Sequence, residues 1–251
     1  MSGALDGKVA LVTGAGQGVG RGIALALAKQ GARLAVSGRT LSKVEAVAAE
    51  IGGDARAFAC DVKDAESVAA TVDAVAAAFG GVDILVNNAQ EVPLGPLLGV
   101  TDEAFEAGFE SGPLATFRFM KACYPHMKAR GGGTIFNLAS SAAVRWDMSN
   151  YGAYAAVKQA IRSLSRAAAA EWGIDGIRVL TIAPHARSPG LARWIEENPA
   201  EAEAFFRTIP LRRVGDCEAD IGDAVAALCG PEFAYLTGAT IPLDGGQANF
   251  D

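Results

Sequence analysis

The sequence contains few cysteines, and they are far apart. Its 251 residues include only Cys60, Cys123, Cys217 and Cys229, and no two of them have the CxxC spacing of a metal or redox site. Isolated cysteines of this kind are typical of reduced thiols in a cytosolic protein. We therefore expect neither a disulfide framework nor a metal site.

Runs of basic residues and long apolar stretches are missing as well. The formal net charge is −6 and lysine and arginine form no cluster, so nucleic acid is not an expected partner. No uncharged apolar stretch reaches the roughly 20 residues of a membrane-spanning helix. The first residues also lack the charged-then-apolar pattern of a secretion signal. These absences predict a cytoplasmic protein without a membrane partner.

The sequence is rich in short apolar segments that alternate with helical ones. Hydrophobic residues make up 51% of the chain, enough for one large core in a single domain spanning residues 1–251. The alternation predicts an α/β fold: a doubly wound parallel sheet with helices on both faces. Seven strands are predicted near residues 8–13, 32–37, 55–60, 82–87, 133–139, 176–183 and 239–243. Helices are predicted near residues 18–30, 41–51, 64–79, 101–130 (broken at Gly112-Pro113), 151–172 and 217–229.

A glycine-rich turn joins the first predicted strand to the first helix. Gly14, Gly18 and Gly20 follow the buried strand in the run TGAGQGVG, which also contains Gln17 and Val19. Glycines permit positive φ and close approach of the backbone to a pyrophosphate, and the helix N-terminus attracts the phosphates. No GK[ST] follows, so a nucleoside-triphosphate loop is not indicated. The turn predicts a Rossmann-type dinucleotide-binding site.

A second motif, Tyr154-Ala-Ala-Val-Lys158, carries acid–base chemistry. Residues four apart lie on one face of a helix, so the phenol and the ammonium can share a site. A free phenol titrates near pH 10, and we expect Lys158 to lower that pKa by about 2–3 units. Ser141, thirteen residues before the tyrosine, is predicted to hold a substrate oxygen against the phenol, and this spacing favours it over Ser140.

These motifs together resemble the short-chain dehydrogenase/reductase family in its compact form. The resemblance extends from about residue 7 to residue 246 and includes, in order, CDV at 60–62, NNA at 87–89, IRV at 177–179, IPL at 209–211 and DGG at 244–246. It implies that the tyrosine is the general acid–base, the serine orients the carbonyl, and the lysine binds ribose and tunes the tyrosine. By the same resemblance, the remaining cofactor contacts are Asp61, Val62, Asn87, Asn88, Ala89, Pro184 and Ser188.

Three positions depart from the family pattern. Gln90 stands where the family usually has the glycine of NNAG, and Gly112 aligns with its fourth catalytic residue, an asparagine. Pro113 beside it lacks a backbone donor. His185 replaces the glycine that normally follows Pro184. It contacts substrate near the nicotinamide, replaces part of the missing proton relay, or is a loop histidine that packs or faces water. The departures concern the proton relay rather than the fold.

The end of the second strand bears on the choice of cofactor. NAD-dependent enzymes of this shape place an acidic residue there, which accepts from the ribose 2′-hydroxyl, whereas this chain has Gly38 followed by Arg39. A guanidinium pairs well with a 2′-phosphate, and Lys43 is placed to assist. Alternatively, Arg39 is a solvated surface charge. Gln17, where NADP-preferring relatives often carry a basic residue, weakens the first reading. We predict NADP(H) in preference to NAD(H).

The stretch from residue 188 to residue 210 is the least strand-like, and the resemblance implies that it is a substrate-covering lid. Trp194, Phe205 and Phe206 would give this lid an apolar inner face. Candidate substrate contacts, chosen by proximity to the motifs, are Gln90, Glu91, Arg145, Trp146, Tyr151 and His185.

The sequence therefore predicts an NADP(H)-dependent oxidoreductase that interconverts a secondary alcohol and a ketone, with Tyr154 as general acid–base. A dinucleotide-binding sensor or scaffold, or a non-redox enzyme on the same fold, is the alternative. The family resemblance also implies a homo-oligomer, a tetramer or dimer, formed through the helices near 101–130 and 151–172.

Overall fold

A computed structural model describes residues 3–144 and 147–248. Seven parallel strands form one sheet in the order β3-β2-β1-β4-β5-β6-β7. The strands are β1 (Val9–Thr13), β2 (Arg33–Gly38), β3 (Ala55–Ala59), β4 (Ile84–Asn87), β5 (Gly133–Leu138), β6 (Ile177–Pro184) and β7 (Thr240–Leu243). Each predicted strand is present, and the doubly wound sheet is confirmed.

Helices connect the strands and cover both faces of the sheet. They are α1 (Gly18–Lys29), α2 (Leu41–Ile51), α3 (Ala65–Phe79), α4 (Asp102–Phe109), α5 (Ala115–Ala129), α6 (Gly152–Trp172), α7 (Pro189–Glu197), α8 (Pro199–Phe206) and α9 (Asp223–Leu228). The predicted break in the helix near 101–130 is a π turn, Glu110–Leu114, between α4 and α5. A proline inside a helix removes one backbone hydrogen bond, and a π turn accommodates the loss.

Side chains alternate along each strand between two hydrophobic cores. On β1, Ala10 and Val12 belong to the core beneath α1, α2 and α9, whereas Val9 and Leu11 belong to the core beneath α3, α5 and α6. Successive side chains on a strand point to opposite faces. This explains why the strands read as continuous apolar runs.

The sheet order places a crevice at the carboxyl ends of β1 and β4. These two strands are neighbours in the sheet, although β2 and β3 lie between them in the chain. The connections from β1 and from β4 therefore leave in opposite directions, and ligands of doubly wound sheets bind where this reversal occurs. Among the described residues, no helix is long and apolar enough to cross a membrane.

Candidate active site

A cleft of about 1220 Å³ lies over the carboxyl ends of the strands. It is lined by residues from the loops after β1, β2, β3, β4, β5 and β6, and by the start of α6. The predicted site residues that line it are Gly14, Gln17, Gly18, Val19, Arg39, Asp61, Val62, Asn88, Ala89, Gln90, Ser141, Tyr151, Tyr154, Lys158, Pro184, His185 and Ser188. Arg145 and Trp146 lie outside the described residues.

The glycine turn disfavours a side chain at Gly14, Gly18 and Gly20. Gly14 and Gly18 have φ of 64° and 57°, which is the left-handed region that favours glycine. A Cβ atom on Gly20 would lie 2.4 Å from Nδ2 of Asn88 and 2.6 Å from the carbonyl oxygen of Gly14. No side chain caps the N-terminus of α1, so its first N–H groups and its dipole are available for a phosphate. The turn fits a dinucleotide.

Asn88 braces this turn. Its Nδ2 donates to the carbonyl oxygens of Thr13 (3.0 Å) and Gly14 (3.1 Å). Oγ1 of Thr13 accepts in return from the backbone N–H groups of Asn88 (3.0 Å) and Ala89 (3.1 Å). The ends of β1 and β4 are therefore fastened together directly below the cleft.

The expectation that Asn87 lines the cofactor cleft is wrong. Its side chain is buried and donates from Nδ2 to Oδ1 of Asn137 at 2.8 Å. Asn137 in turn donates to Oγ of Ser165. Successive strand residues point to opposite faces, so only Asn88, one residue further along, reaches the cleft side.

Tyr154 and Lys158 lie on the cleft side of α6, as predicted. Nζ of Lys158 lies 5.6 Å from the centre of the Tyr154 ring and donates to the carbonyl oxygen of Leu138 at 2.5 Å. Burial lowers the pKa of Lys158 to about 7. Burial also raises the pKa of Tyr154, and a hydrogen bond with Ser140 offsets part of that rise. The expected lowering of the phenol pKa by Lys158 is not seen in this structure, because burial dominates that pKa and Lys158 is not among the groups that shift it.

The serine beside the phenol is Ser140, not Ser141. The serine that lowers the pKa of Tyr154 is Ser140, whose Oγ accepts from the backbone N–H of Ala142 at 3.1 Å. Ser141 points elsewhere: it is buried and its Oγ donates to Oδ2 of Asp244 at 2.5 Å. The two side chains diverge where the chain leaves β5 and enters a 3₁₀ turn, Ser141–Val144. The spacing of thirteen residues favoured Ser141, whose hydroxyl is instead engaged with Asp244; Ser140, fourteen residues before Tyr154, is the serine that influences the phenol.

Asp244 accepts the hydrogen bond from Ser141. Its buried carboxylate also accepts from the backbone N–H groups of Gly246 (2.9 Å), Gln247 (3.3 Å) and Ala248 (3.1 Å). Four donors compensate for removing the charge from water. The carboxylate thereby connects the loop after β7 to the loop that carries Ser140.

A cluster of charged side chains lines one part of the cleft. Oε1 of Glu91 pairs with Nη1 of Arg39 at 2.7 Å and lies 3.4 Å from Nζ of Lys63. These residues belong to the loops after β2, β3 and β4. Lys43, the other basic candidate, donates to Oε1 of Gln17 at 3.4 Å. Sequence reasoning named Glu91 as a pocket residue but did not connect it to Arg39, because nothing in the motif predicts a pair 52 residues apart.

Aromatic side chains form the other wall. His185 packs edge-on to Phe205 (5.4 Å between ring centres), and Phe205 packs edge-on to Trp194 (6.1 Å). Trp194 and Phe205 belong to α7 and α8 and line the cleft. Ser188 accepts from the backbone N–H of Leu191 as the N-cap of α7. The stretch 188–210 therefore presents an apolar face to the cleft.

A parallel sheet, a glycine turn that fits a dinucleotide, and Tyr154 and Ser140 at the cleft beside the buried Lys158 define a nicotinamide-dependent oxidoreductase. A family model described as enoyl-(acyl carrier protein) reductase matches residues 14–248. The 12α-hydroxysteroid dehydrogenase of a Clostridium species is 40% identical, over 98% of both chains. D-threitol dehydrogenase of Mycolicibacterium smegmatis is also 40% identical, over 96% of this chain and 93% of the relative.

A solved structure shows the same likeness. The 3-ketoacyl-(acyl-carrier-protein) reductase of Brucella melitensis, crystallised with NADH, superposes with a TM-score of 0.89 at 33% identity, over 98% of this chain and all of the other. The chain belongs to the short-chain dehydrogenase/reductase family. It is an oxidoreductase of small-molecule alcohols and ketones with a nicotinamide dinucleotide as cofactor.

Proposed function

We propose that the protein reduces a ketone to a secondary alcohol with NADPH, and catalyses the reverse reaction, with Tyr154 as the acid–base. The observation that carries this proposal is that Tyr154 lines the cleft one helical turn from the buried Lys158, with the side chain of Ser140 close enough to lower the pKa of its phenol. The bound nicotinamide would supply or accept the hydride, and the residues of the chain manage the oxygen and its proton.

The protonation state of Tyr154 suits reduction. Because burial raises its pKa, the phenol holds its proton at neutral pH. That proton is available for the carbonyl oxygen as negative charge develops there. Ser140, beside the phenol, is positioned to donate a second hydrogen bond to the same oxygen and so orient it. The serine proposed here is Ser140, in place of the Ser141 that spacing favoured.

Lys158 supports the proton transfer from behind the phenol. Its pKa of about 7 means that it changes charge in the neutral range, and its one described hydrogen bond is to the carbonyl oxygen of Leu138. A ligand hydroxyl or a negative charge nearby would favour the ammonium form. An ammonium 5.6 Å from the ring would then stabilise the phenolate that forms during reduction.

The preference for NADPH over NADH rests on Arg39. Gly38 places no carboxylate at the end of β2, and the guanidinium of Arg39 follows directly. Glu91 holds this guanidinium in the present structure, so a 2′-phosphate must displace the carboxylate. A phosphate carries up to two charges and accepts bidentately, whereas an exposed ion pair contributes only about 0–1 kcal/mol. The exchange therefore favours the phosphate.

The substrate pocket lies beside the aromatic wall. Two relatives act, by their names, on a hydroxysteroid and on a polyol, and these differ widely in polarity. His185, Trp194 and Phe205 line one side of the pocket here. Helices α7 and α8, which carry the last two, would act as the lid that covers the substrate.

We also expect the chain to form a homo-oligomer through the face made by α4, α5 and α6. Leu114 and Phe117 are 39% and 41% exposed there. They border a shallow groove of about 510 Å³ with Phe109, Pro113 and Leu164. A contiguous exposed apolar surface of this kind is more often a protein–protein interface than a surface that stays in contact with solvent. Light scattering of the purified protein tests this expectation.

The proposed function is tested by cofactor titration followed by turnover. NADPH and NADH are titrated while nicotinamide fluorescence is followed, and oxidation of the better cofactor is then measured with a panel of ketones. Tyr154→Phe should keep cofactor binding and lose turnover by about 10²–10⁴-fold. Tyr235→Phe, which changes a tyrosine that is fully exposed and does not line the cleft, is the matched control and should retain its activity.

Three outcomes would change the proposal. Tight cofactor binding without turnover on any ketone would favour a sensor or a non-redox enzyme. Turnover that survives Tyr154→Phe would remove the tyrosine from the proton transfer. A preference for NADH would mean that Arg39 acts as a surface charge paired with Glu91.

A further inference from the structure

Gln90 carries a carboxamide that has no partner. The residue lines the cleft, but its Nε2 and Oε1 are closed off from solvent and neither makes a hydrogen bond to any described residue. A buried polar group without a hydrogen bond is costly, and the great majority of such groups in folded proteins are paired. The state of Gln90 therefore requires an explanation.

Gly112 provides the space that this carboxamide occupies. A Cβ atom built on Gly112 would lie 3.2 Å from Nε2 of Gln90 and 2.7 Å from Cγ1 of Val157. Any side chain at position 112 would thus compete with the amide for the same recess. The recess offers Gln90 the methyl groups of Val157 and the backbone of the π turn, neither of which satisfies an amide in the present geometry.

The backbone around Gln90 is fixed on both sides. Oγ1 of Thr13 accepts from the backbone N–H of Ala89 at 3.1 Å. Oγ of Ser111 accepts from the N–H of Glu91 at 2.9 Å and donates to the carbonyl oxygen of Ala107 at 2.6 Å. Freedom is left in the side-chain torsions of Gln90, which can carry the amide from the recess into the cleft.

We infer that Gln90 turns out of the Gly112 recess when a ligand binds, and that its carboxamide hydrogen-bonds a hydroxyl group of that ligand. A carboxamide offers both a donor and an acceptor, and a hydroxyl group requires both. The cost of burying the carboxamide without a hydrogen bond is removed when this bond forms. Gln90 is therefore a ligand-binding residue, and the glycine at 112 is what allows it to withdraw.

Two ligands carry suitable hydroxyl groups: the ribose of the cofactor, and a substrate with a hydroxyl group beside the reacting carbon. The second source rests on the proposed function, whereas the first requires only dinucleotide binding. The variant Gln90→Met keeps the length of the side chain and removes the amide. Gln30→Met, at the exposed end of α1, is the matched control.

Removing an unpartnered amide should stabilise the protein when no ligand is added. We expect the melting temperature of Gln90→Met without ligand to rise by about 2–4 °C, and that of Gln30→Met to stay unchanged. A side chain with a merely structural role would give the opposite sign, because its loss would lower the melting temperature.

Binding measurements identify the source of the hydroxyl group. If the ribose is the partner, Gln90→Met weakens NADPH binding by roughly tenfold. If the substrate is the partner, NADPH binding is retained and kcat/KM falls by a similar factor for an α-hydroxyketone but not for the ketone lacking that hydroxyl group. Either result, together with the rise in melting temperature, supports the inference. Unchanged NADPH binding with an unchanged ratio between the two ketones, or a lowered melting temperature, would overturn it.

Discussion

Replacing Ser140 and Ser141 by alanine, one at a time, should give opposite results although the two serines are neighbours. The side chain of Ser140 lines the cleft with Tyr154 and lowers the pKa of its phenol. The hydroxyl of Ser141 donates to the buried carboxylate of Asp244. One variant therefore removes a group beside the proposed acid–base, and the other removes a group that stabilises the fold.

The expected magnitudes follow from these contacts. Removing one preorganised donor to a developing oxyanion costs about 10²–10³ in rate, so Ser140→Ala should lose that much of kcat/KM with little change in stability. Ser141→Ala leaves Asp244 with its three backbone donors but without the hydroxyl. Hydrogen bonds to charged groups contribute about 1.5–3 kcal/mol, which corresponds to a melting temperature lower by roughly 3–10 °C in a chain of this size.

The assay is a pair of measurements on each variant: thermal unfolding without ligand, and NADPH oxidation with a ketone that the wild-type protein accepts. Well below its melting temperature, Ser141→Ala should retain a larger fraction of activity than Ser140→Ala. The opposite pattern, with Ser141→Ala inactive but stable and Ser140→Ala active, would refute the assignment and restore the serine that spacing selected.

Three further results are expected. Glu91→Gln should free Arg39 for a 2′-phosphate and so tighten the binding of NADPH more than that of NADH. Equal tightening of both, measured by fluorescence titration, would indicate only a general charge effect. Gly20→Ala should abolish dinucleotide binding or folding, because its Cβ would lie 2.4 Å from a side-chain atom; unaltered NADPH affinity would show that the turn relaxes. The free energy of unfolding should rise between pH 7 and about 10, because the unfolded chain binds a proton at Lys158 that the folded chain, with a pKa of about 7, has released. Lys158→Met should flatten this rise in denaturant titrations, and a rise that persists would assign it to other groups.

Periodicity and glycine chemistry were sufficient to predict the fold. The strands are apolar on both faces because both faces are buried, and this produced the continuous runs recognised in the sequence. The turn at Gly14, Gly18 and Gly20 was predictable because its backbone conformations and close contacts disfavour side chains, so that glycine itself is the signal in the sequence. The break at Gly112-Pro113 followed from the same kind of backbone argument.

The side-chain details of the site could not be predicted in this way. Whether Ser140 or Ser141 faces Tyr154 depends on how the loop after β5 turns, and a count of residues does not specify that turn. The pKa of Tyr154 depends on how much water the folded cleft excludes, which is a property of all the loops together. Asn87 and Asn88 differ only in the face of the strand on which each lies.

Asp244 shows how the two kinds of information combine. The sequence presents it as part of the DGG run, with no indication of what its carboxylate does. In the structure the glycine after it has φ of 71°, which turns the chain back so that three successive N–H groups point at the carboxylate. The fourth donor is the hydroxyl of Ser141, whose neighbour Ser140 lowers the pKa of Tyr154. The last strand of the sheet thus fixes the position of a serine in the active site, 104 residues away in the chain. Because this link consists of charge-assisted hydrogen bonds inside the protein, we expect it to fix the position of Ser140 more firmly than the exposed Arg39–Glu91 pair fixes the loops that it joins.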